Sequence, residues 1–299
     1  MMVREMQRQL SLKTEKDRTH AFGDLYSLLC RDDWLEKAWE KVKSNKGSRT
    51  AGVDRITRSN FEQNEQGMLA RLRKKLKQGQ FKPSPVRRKY IREVKPSGRI
   101  KLRPLGIPNL EDRIVQEAVR MILEPICEPD FSQDSYGFRP GRSPHRAISS
   151  LWHRLLPHTG YVWVIEGDIS SFFDTVDHRL MLRFLKRRIK DKKLLKLIWQ
   201  FLRSGVMEEG SIRNTTIGTP QGGIITPPTK LQPFFCRVAS SGTLVDAKSH
   251  LALVRRHLDA LHSGTHQLAV ARPVGDREPP VHVSRTILQA SHDPLSLRL

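Results

Sequence analysis

The amino-acid sequence predicts an α+β body followed by an unrelated tail. Several segments place apolar residues at the spacing of amphipathic helices, and one segment alternates as the strands of a β-hairpin do. From residue 228 onward this patterning stops, and the composition becomes rich in proline, serine, histidine and arginine. We therefore expect an N-terminal extension over residues 1–19, an ordered body over residues 20–227 and a largely disordered tail over residues 228–299.

The first elements of the body are predicted helices. Residues 14–45 carry leucines, an alanine and a valine near helical spacing. Residues 59–78 form a second helix with a basic C-terminal half. The cations of that half include Arg71, Lys74 and Lys75. They suit either the negative end of the helix dipole or contact with RNA phosphates, and the sequence leaves both alternatives open.

The next elements are a hairpin and two helices. Apolar residues alternate on both sides of the turn signal Pro96-Ser97-Gly98, which predicts antiparallel strands over residues 87–108. Residues 110–126 then show the helical periodicity of a buried face. Another helix follows Ser143-Pro144, which supplies an N-cap and a proline at the first helical position.

The end of the body combines a buried strand with two helices. Residues 161–168 predict a strand that ends at Asp168, and helices are expected over residues 177–189 and 194–204. Asp177 is interpreted as the N-cap of the first of these helices. A carboxylate at a strand end is a typical position for a metal or catalytic ligand, but many such residues only cap the next turn.

The charge of the chain indicates a polyanionic partner. The sequence holds 53 Lys and Arg against 31 Asp and Glu, so its formal net charge is +22. Such an excess favours nucleic acid, because neutralised phosphates supply affinity. A merely soluble basic surface is the alternative.

Cysteine usage and hydropathy bear on the compartment. The three cysteines are far apart and form no Cys-x-x-Cys pair, so neither a zinc site nor a disulfide framework is indicated. No apolar run approaches the ~18 residues of a membrane span, and the N-terminus lacks the apolar core of a secretory signal. We expect no membrane partner, and reduced thiols in a bacterial cytoplasm or an organellar matrix.

Five sequence blocks, taken in order, carry a resemblance to a known family. They are "NKGSRTAGVDRIT", "KPSGRIKLRPLGIPNLEDRIVQEAVRMILEPI", "SYGFRPGRSPHRAI", "GDISSFFDTVDH" and "GTPQGGIITP". Over residues 20–227 the chain resembles the reverse transcriptase domain encoded by bacterial and organellar group II introns. The resemblance implies a right-hand polymerase, with fingers over residues 20–155 and an incomplete palm over residues 156–227.

The resemblance also implies a chemistry. In that family a primer hydroxyl attacks a deoxynucleotide with the help of two Mg²⁺ ions, which require oxygen ligands. Asp168 matches the first metal ligand, and the carbonyl of Ile169 matches a further one. Phe173 matches the aromatic gate against a ribose 2′-hydroxyl, although it also suits a core position. The other residues that match those around the incoming nucleotide are Lys95 and Arg103, for its triphosphate, and Gln221, beside its sugar.

Three further arginines are candidates for contact with nucleic acid. Arg113 lies in "EDRIVQ", and Arg139 and Arg142 lie in "GFRPGR". For Arg113 and Arg139 a structural role and contact with the template are equally compatible with the sequence. The expected partners are the intron RNA transcript and a DNA primer.

The sequence departs from the family after "GGIITP". The family continues with a hairpin that carries Tyr-x-Asp-Asp, and those two aspartates complete the metal site. None of the four tyrosines heads such a motif here, and the only adjacent aspartate pair is Asp32-Asp33. Since one carboxylate cannot hold two Mg²⁺ ions, we expect no polymerase activity. The tail is interpreted as an out-of-frame or fused segment, and the incomplete palm as an exposed strand edge prone to self-association.

Three interpretations of function are open at this point. The chain is a truncated reverse transcriptase that binds intron RNA, a non-enzymatic splicing helper that retains the basic fingers, or a non-functional relic. Primer extension separates the first from the other two. Binding to intron transcript against random RNA separates the second from the third.

Overall fold

The structure is a computed structural model, and it describes residues 2–94, 98–137, 139–154, 163–165, 176–219 and 287–289. The chain divides into two compact units. The larger comprises residues 1–147 and 172–235, and the smaller comprises residues 148–171 and 236–299. The predicted boundaries at residues 155–156 and 227–228 lie outside the described residues, as does nearly all of the predicted tail.

Helices form most of the described residues. Those before the hairpin are α1 (Val3–Lys16), α2 (Tyr26–Leu29), α3 (Asp32–Ser44), α4 (Arg58–Glu62) and α5 (Glu65–Lys77). Those after it are α6 (Leu110–Cys127), α7 (Pro144–Arg154), α8 (His178–Arg188) and α9 (Lys192–Leu202). Short 3₁₀ turns cover Lys46–Arg49 and Glu128–Asp130. With the strands below, these helices confirm the α+β class.

The main sheet contains the predicted hairpin. Its strands are β1 (Val86–Val94), β2 (Ile100–Ile107), β4 (Val206–Glu208) and β5 (Ser211–Arg213). They lie in the order β2-β1-β4-β5. β1 and β2 are antiparallel, which confirms the hairpin, whereas β1 and β4 are parallel. Residues 95–97 of the predicted turn lie outside the described residues.

A strand of the smaller unit has a partner that the sequence did not predict. β3 (Trp163–Ile165) pairs antiparallel with β6 (Ile287–Gln289), which belongs to the C-terminal tail. The prediction of an exposed strand edge is therefore wrong for the edge of β3 that pairs with β6. The reason is that Ile287 and Leu288 form a short strand-prone apolar pair within an otherwise aperiodic composition. Self-association through the palm stays a prediction.

The core of the larger unit is built around α6. Ile114, Ala118 and Ile122 are fully buried, which confirms the predicted apolar face of this helix. α3 packs against α6. At this contact the indole nitrogen of Trp34, which is also fully buried, donates a hydrogen bond of 3.0 Å to the carbonyl of Ala118. The hydrogen bond satisfies the polar end of an aromatic side chain inside the core.

The prediction of one continuous helix over residues 14–45 is wrong. The chain leaves α1 at Lys16 and forms an irregular segment, in which Asp24 has a left-handed φ of 48°. Tertiary contacts hold this segment, because the backbone N–H of Phe22 donates to the carbonyl of Arg188 at 2.8 Å. The carbonyl of Phe22 in turn accepts from Lys190 at 2.7 Å.

Two further boundaries differ from the predictions. Residues 3–16, which the sequence assigned to an extension, pack as α1 against α6 and belong to the same compact unit. The side-chain amide of Gln7 donates to the carbonyl of Met121 at 2.9 Å across this contact. The helix predicted over residues 59–78 divides into α4 and α5. The side chain of Asn64 caps α5 by accepting from Gly67, since asparagine favours N-cap positions.

Candidate nucleic-acid interface

The hairpin of β1 and β2 carries cations on both of its faces. Residues directly opposite each other share a face, as Ile91 and Arg103 do. The other cations on the face of Arg103 are Arg87, Lys89 and Lys101. The exposed apolar side chains on the opposite face are Tyr90, Val94, Ile100 and Leu102. The opposite face also carries Arg88 and Arg92, and Glu93 lies opposite Lys101 on the first face. Lys89, Lys101 and Arg103 are exposed, so the first face presents three exposed cations beside one exposed carboxylate.

Helix α5 carries cations in two different situations. Arg73 forms an ion pair with Asp32, and the ammonium of Lys75 lies 2.7 Å from the carboxylate of Glu111. Arg71 and Lys74 are exposed and form no ion pair with the described residues. They stand three positions apart and therefore lie on neighbouring parts of the helix surface. Arg71 and Lys74, like the exposed Lys77 in the last turn, are thus cations of α5 that can accept a phosphate without first breaking an ion pair with a described residue.

The side chain of Arg113 is buried and connects backbone segments by hydrogen bonds, so it is not an exposed cation. The burial lowers the pKa of its guanidinium. The guanidinium donates to the carbonyls of Pro108 at 2.9 Å, Gly47 at 2.6 Å and Thr50 at 2.7 Å. Of the two roles compatible with the sequence, the structure favours the structural one.

The same contact brings two of the sequence blocks together. The side chain of Asn109 accepts hydrogen bonds from the backbone N–H groups of Val53 at 2.8 Å and Asp54 at 3.3 Å. A Cβ added at Gly52 would lie 2.2 Å from Oδ1 of Asn109. Glycine is therefore required for the close approach of "AGVD" to the start of α6.

Arg139 has a similar internal role in the loop before α7. It is buried and donates to the carbonyls of Ser132 at 2.6 Å and Ser135 at 2.8 Å. It also lies 2.9 Å from the carboxylate of Glu128. Arg142 is only half-buried and stacks over Tyr136, while it donates to Gln133. Arg139 therefore shapes the loop, and Arg142 remains a candidate for contact with nucleic acid.

The predicted catalytic residues fall largely outside the described part of the chain. Those residues are Lys95, Asp168, Ile169, Phe173 and Gln221. Within the described ranges no group of three or more His, Cys, Asp or Glu side chains is arranged to hold a metal ion. The Asp32-Asp33 pair lies in the first turn of α3, where Asp32 pairs with Arg73 and Asp33 with Arg31. This pair of aspartates is thus engaged in ion pairs rather than in a metal site.

Two predicted motifs meet at the start of α8. Asp177 caps this helix, as predicted, by accepting from the backbone N–H of Leu180 at 2.8 Å. The next residue, His178, is 2% exposed, and its Nε2 lies 2.5 Å from the carbonyl of Gly218, the first residue of "GTPQGG". Gly218 also donates its N–H to the carbonyl of Val176 at 2.9 Å. His178 and Gly218 are 40 positions apart along the chain, so local sequence pattern does not reveal this contact.

Comparisons with known proteins agree with these motifs. Residues 93–230 match the family described as reverse transcriptase (RNA-dependent DNA polymerase). The chain is 42% identical over 229 residues to protein YkfC of Escherichia coli K12, covering 76% of this chain and 59% of that protein. It is 38% identical over 219 residues to the group II intron-encoded protein LtrA of Lactococcus lactis subsp. cremoris, covering 73% of this chain and 35% of LtrA.

A shorter match adds a relative from a plant. Over 91 residues the chain is 43% identical to nuclear intron maturase 1, mitochondrial, of Arabidopsis thaliana, covering 30% of this chain and 12% of that protein. The chain belongs to the group II intron reverse transcriptase and maturase family. The match spans 59% of the length of YkfC and 35% of the length of LtrA. Among the described residues, none of the helices combines the length and the apolar composition of a membrane span.

Proposed function

We propose that the chain binds group II intron RNA through exposed cations of α5 and the hairpin, and that it does not synthesise DNA by itself. The class of RNA follows from the family, since LtrA is named as a group II intron-encoded protein. The observation that carries the proposal is that exposed cations such as Arg71 and Lys74 form no ion pair with the described residues. Together with a net charge of +22, they suit a polyanionic partner.

The basic residues are expected to contribute unequally to RNA affinity. Arg71 and Lys74 gain a phosphate without losing another partner. Lys75 must exchange its contact with Glu111, so its net contribution is smaller. Burial and internal hydrogen bonds remove Arg113 and Arg139 from the candidates for contact with RNA. The other exposed or half-exposed candidates are Lys89, Lys101, Arg103 and Arg142.

DNA synthesis is the part of the family's chemistry that we propose this chain lacks. Two Mg²⁺ ions would supply Lewis-acid assistance to nucleotidyl transfer if a complete site were present. Asp168 and the carbonyl of Ile169 remain the proposed ligands, but this donor set holds one carboxylate and does not fit two such ions. The proposed nucleotide contacts are Lys95, Arg103, Phe173 and Gln221. We also propose that the chain has the right-hand arrangement of fingers and palm. Contact with a DNA primer is proposed on the same grounds.

The extent of the family match supports an unrelated tail. The match ends at residue 230, next to the change of composition at residue 228. Beyond this point the sequence contains no Tyr-x-Asp-Asp motif, and only two lysines, Lys230 and Lys248, occur there beside seven arginines. The proposed function therefore resides in the region before residue 228.

One comparison separates binding of a group II intron transcript from binding of any single-stranded RNA. A splicing helper prefers a group II intron transcript over random RNA of equal length, whereas a relic shows no preference. We propose a bacterial cytoplasm or an organellar matrix as the setting, since relatives occur in bacteria and as mitochondrial proteins.

Replacing Arg71 and Lys74 together with glutamine is expected to lower RNA affinity and its salt dependence. Each lost contact with a single-strand phosphate lowers the slope of log affinity against log salt by about 0.7, so the pair lowers it by about 1.4. Filter binding over a salt series measures both quantities. The matched control replaces Lys13 and Lys16 of α1, which are equally exposed, with glutamine. Equal losses in the two double variants would contradict the assignment to α5.

A further inference from the structure

A small cleft lies between the start of α8, the end of α9 and the loop after β5. Its volume is about 290 Å³. The residues that line this α8–α9 cleft are Asp177, His178, Arg179, Trp199, Arg203 and Thr216. All of them belong to the larger unit. Neither the motifs nor the proposed function assign a ligand to the cleft.

Two arginines make the rim of the cleft positive. Arg179 and Arg203 are exposed and form no ion pair with the described residues. The guanidinium of Arg203 lies 5.4 Å from the ring centre of Trp199. Stacking of this kind covers the face of the guanidinium and leaves its N–H edge available to a phosphate. Arg179 lies in the first turn of α8, where the helix dipole is positive and an anion is favoured.

The carboxylate at the cleft does not cancel this charge. Asp177 accepts a hydrogen bond of 2.8 Å from the backbone N–H of Leu180, so its carboxylate is engaged as the N-cap of α8. It offsets one of the two guanidinium groups. The lining therefore retains a net positive charge and favours an anionic ligand.

His178 lines the same cleft and has a buried ring nitrogen without a hydrogen-bond partner among the described residues. The residue is 98% buried, and its ring packs edge-on against Trp199 at a centroid distance of 6.1 Å. A carbonyl can only accept, so the contact of Nε2 with Gly218 places the ring proton on Nε2. Nδ1 of the neutral imidazole is then an acceptor, and it is buried without a hydrogen-bond partner among the described residues. A buried acceptor of this kind is costly unless a donor such as a hydroxyl reaches it.

We infer that the α8–α9 cleft binds one nucleotide of single-stranded RNA, with its phosphate on Arg179 and Arg203 and its ribose 2′-hydroxyl donating to Nδ1 of His178. The pairing of a bidentate anion site with a hydroxyl acceptor suits a ribonucleotide better than a free phosphate or a deoxynucleotide. The inference rests on the proposed RNA binding and deepens it, because it makes one contact selective for ribose.

The test measures binding of an unstructured oligouridylate and of its 2′-deoxy counterpart by fluorescence anisotropy. The double change Arg179→Gln and Arg203→Gln is expected to weaken both affinities about tenfold and to lower the salt slope by about 1.4. His178→Gln keeps a nitrogen donor toward Gly218 but removes Nδ1. This variant is expected to lose about fivefold in affinity for RNA and to bind the deoxy strand as the wild type does.

The matched control is the double change Arg183→Gln and Arg187→Gln. It removes the same charge from α8 outside the cleft, and Arg187 also stacks on a ring, Phe184, at 5.0 Å. Smaller losses in the control than in the Arg179 and Arg203 variant support the cleft. Equal losses, or an unchanged RNA preference in His178→Gln, overturn it while leaving the proposed function in place. No RNA binding by the wild type overturns both.

Discussion

Replacing Arg113 with lysine is expected to lower the free energy of unfolding by about 3 kcal/mol, although the charge is kept. The planar guanidinium donates at once to the carbonyls of Pro108, Gly47 and Thr50. A lysine ammonium is a point donor on a differently shaped stem, so it cannot reach all three acceptors. Each buried acceptor left without a partner costs about 1–3 kcal/mol. The contact between residues 47–50 and the start of α6 should loosen as a result.

Urea unfolding followed by circular dichroism measures this effect. The control is Arg71→Lys, which makes the same chemical change at an exposed position of α5. We expect the control to shift the free energy of unfolding by no more than about 0.5 kcal/mol. An Arg113→Lys variant as stable as the wild type would show that the three carbonyl contacts do not stabilise the packing of residues 47–50 against the start of α6.

Asp112→Asn is expected to stabilise the protein at neutral and alkaline pH and to leave its stability unchanged in acid. Burial, aided by the nearby charges of Glu111 and Asp54, raises the pKa of Asp112 from 3.8 to about 7, although the N–H of Ser84 favours the carboxylate. Between these pH values the unfolded chain releases a proton that the folded protein retains. The free energy of unfolding of the wild type therefore falls as pH rises from about 4 to about 7.

Asparagine does not ionise, so the free energy of unfolding of the variant does not fall over this pH range. The gain in free energy of unfolding of Asp112→Asn over the wild type should grow by about 1.4 kcal/mol per pH unit between about pH 4 and about pH 7. It should reach at most about 4 kcal/mol above pH 7. Urea unfolding at a series of pH values on both sides of the window measures it. Asp33→Asn is the control with the opposite sign, because its contact with Arg31 lowers the pKa of Asp33. A pH-independent difference between Asp112→Asn and the wild type would contradict a proton held by Asp112.

The elements that depend on local pattern could be predicted from the sequence. The hairpin follows from alternation around a turn signal, and α6 follows from apolar periodicity. The N-cap at Asp177 follows from a side chain that bonds within its own turn. Each of these features uses residues only a few positions apart, so the sequence contains the whole contact.

The role of each arginine could not be predicted in the same way. Arg71 and Arg113 are the same residue type and both lie in helices predicted from the sequence, yet one is exposed and the other is buried. The difference arises because two acceptors of Arg113, Gly47 and Thr50, lie 66 and 63 positions away along the chain. His178 is similar, since its partner Gly218 is 40 positions away. Contacts at such separations depend on the packing of the whole unit.

Primer extension with Mg²⁺ on a primed RNA template tests most directly the claim that this chain binds RNA without synthesising DNA. The wild type and Asp168→Ala are compared in parallel, with binding of the same template measured alongside. We expect both proteins to bind the template, with affinities that agree within a small factor, and neither to extend the primer, because the sequence carries no Tyr-x-Asp-Asp motif after Asp168. Robust extension by the wild type that Asp168→Ala abolishes would show that the chain supplies the missing ligands, and the account would be wrong.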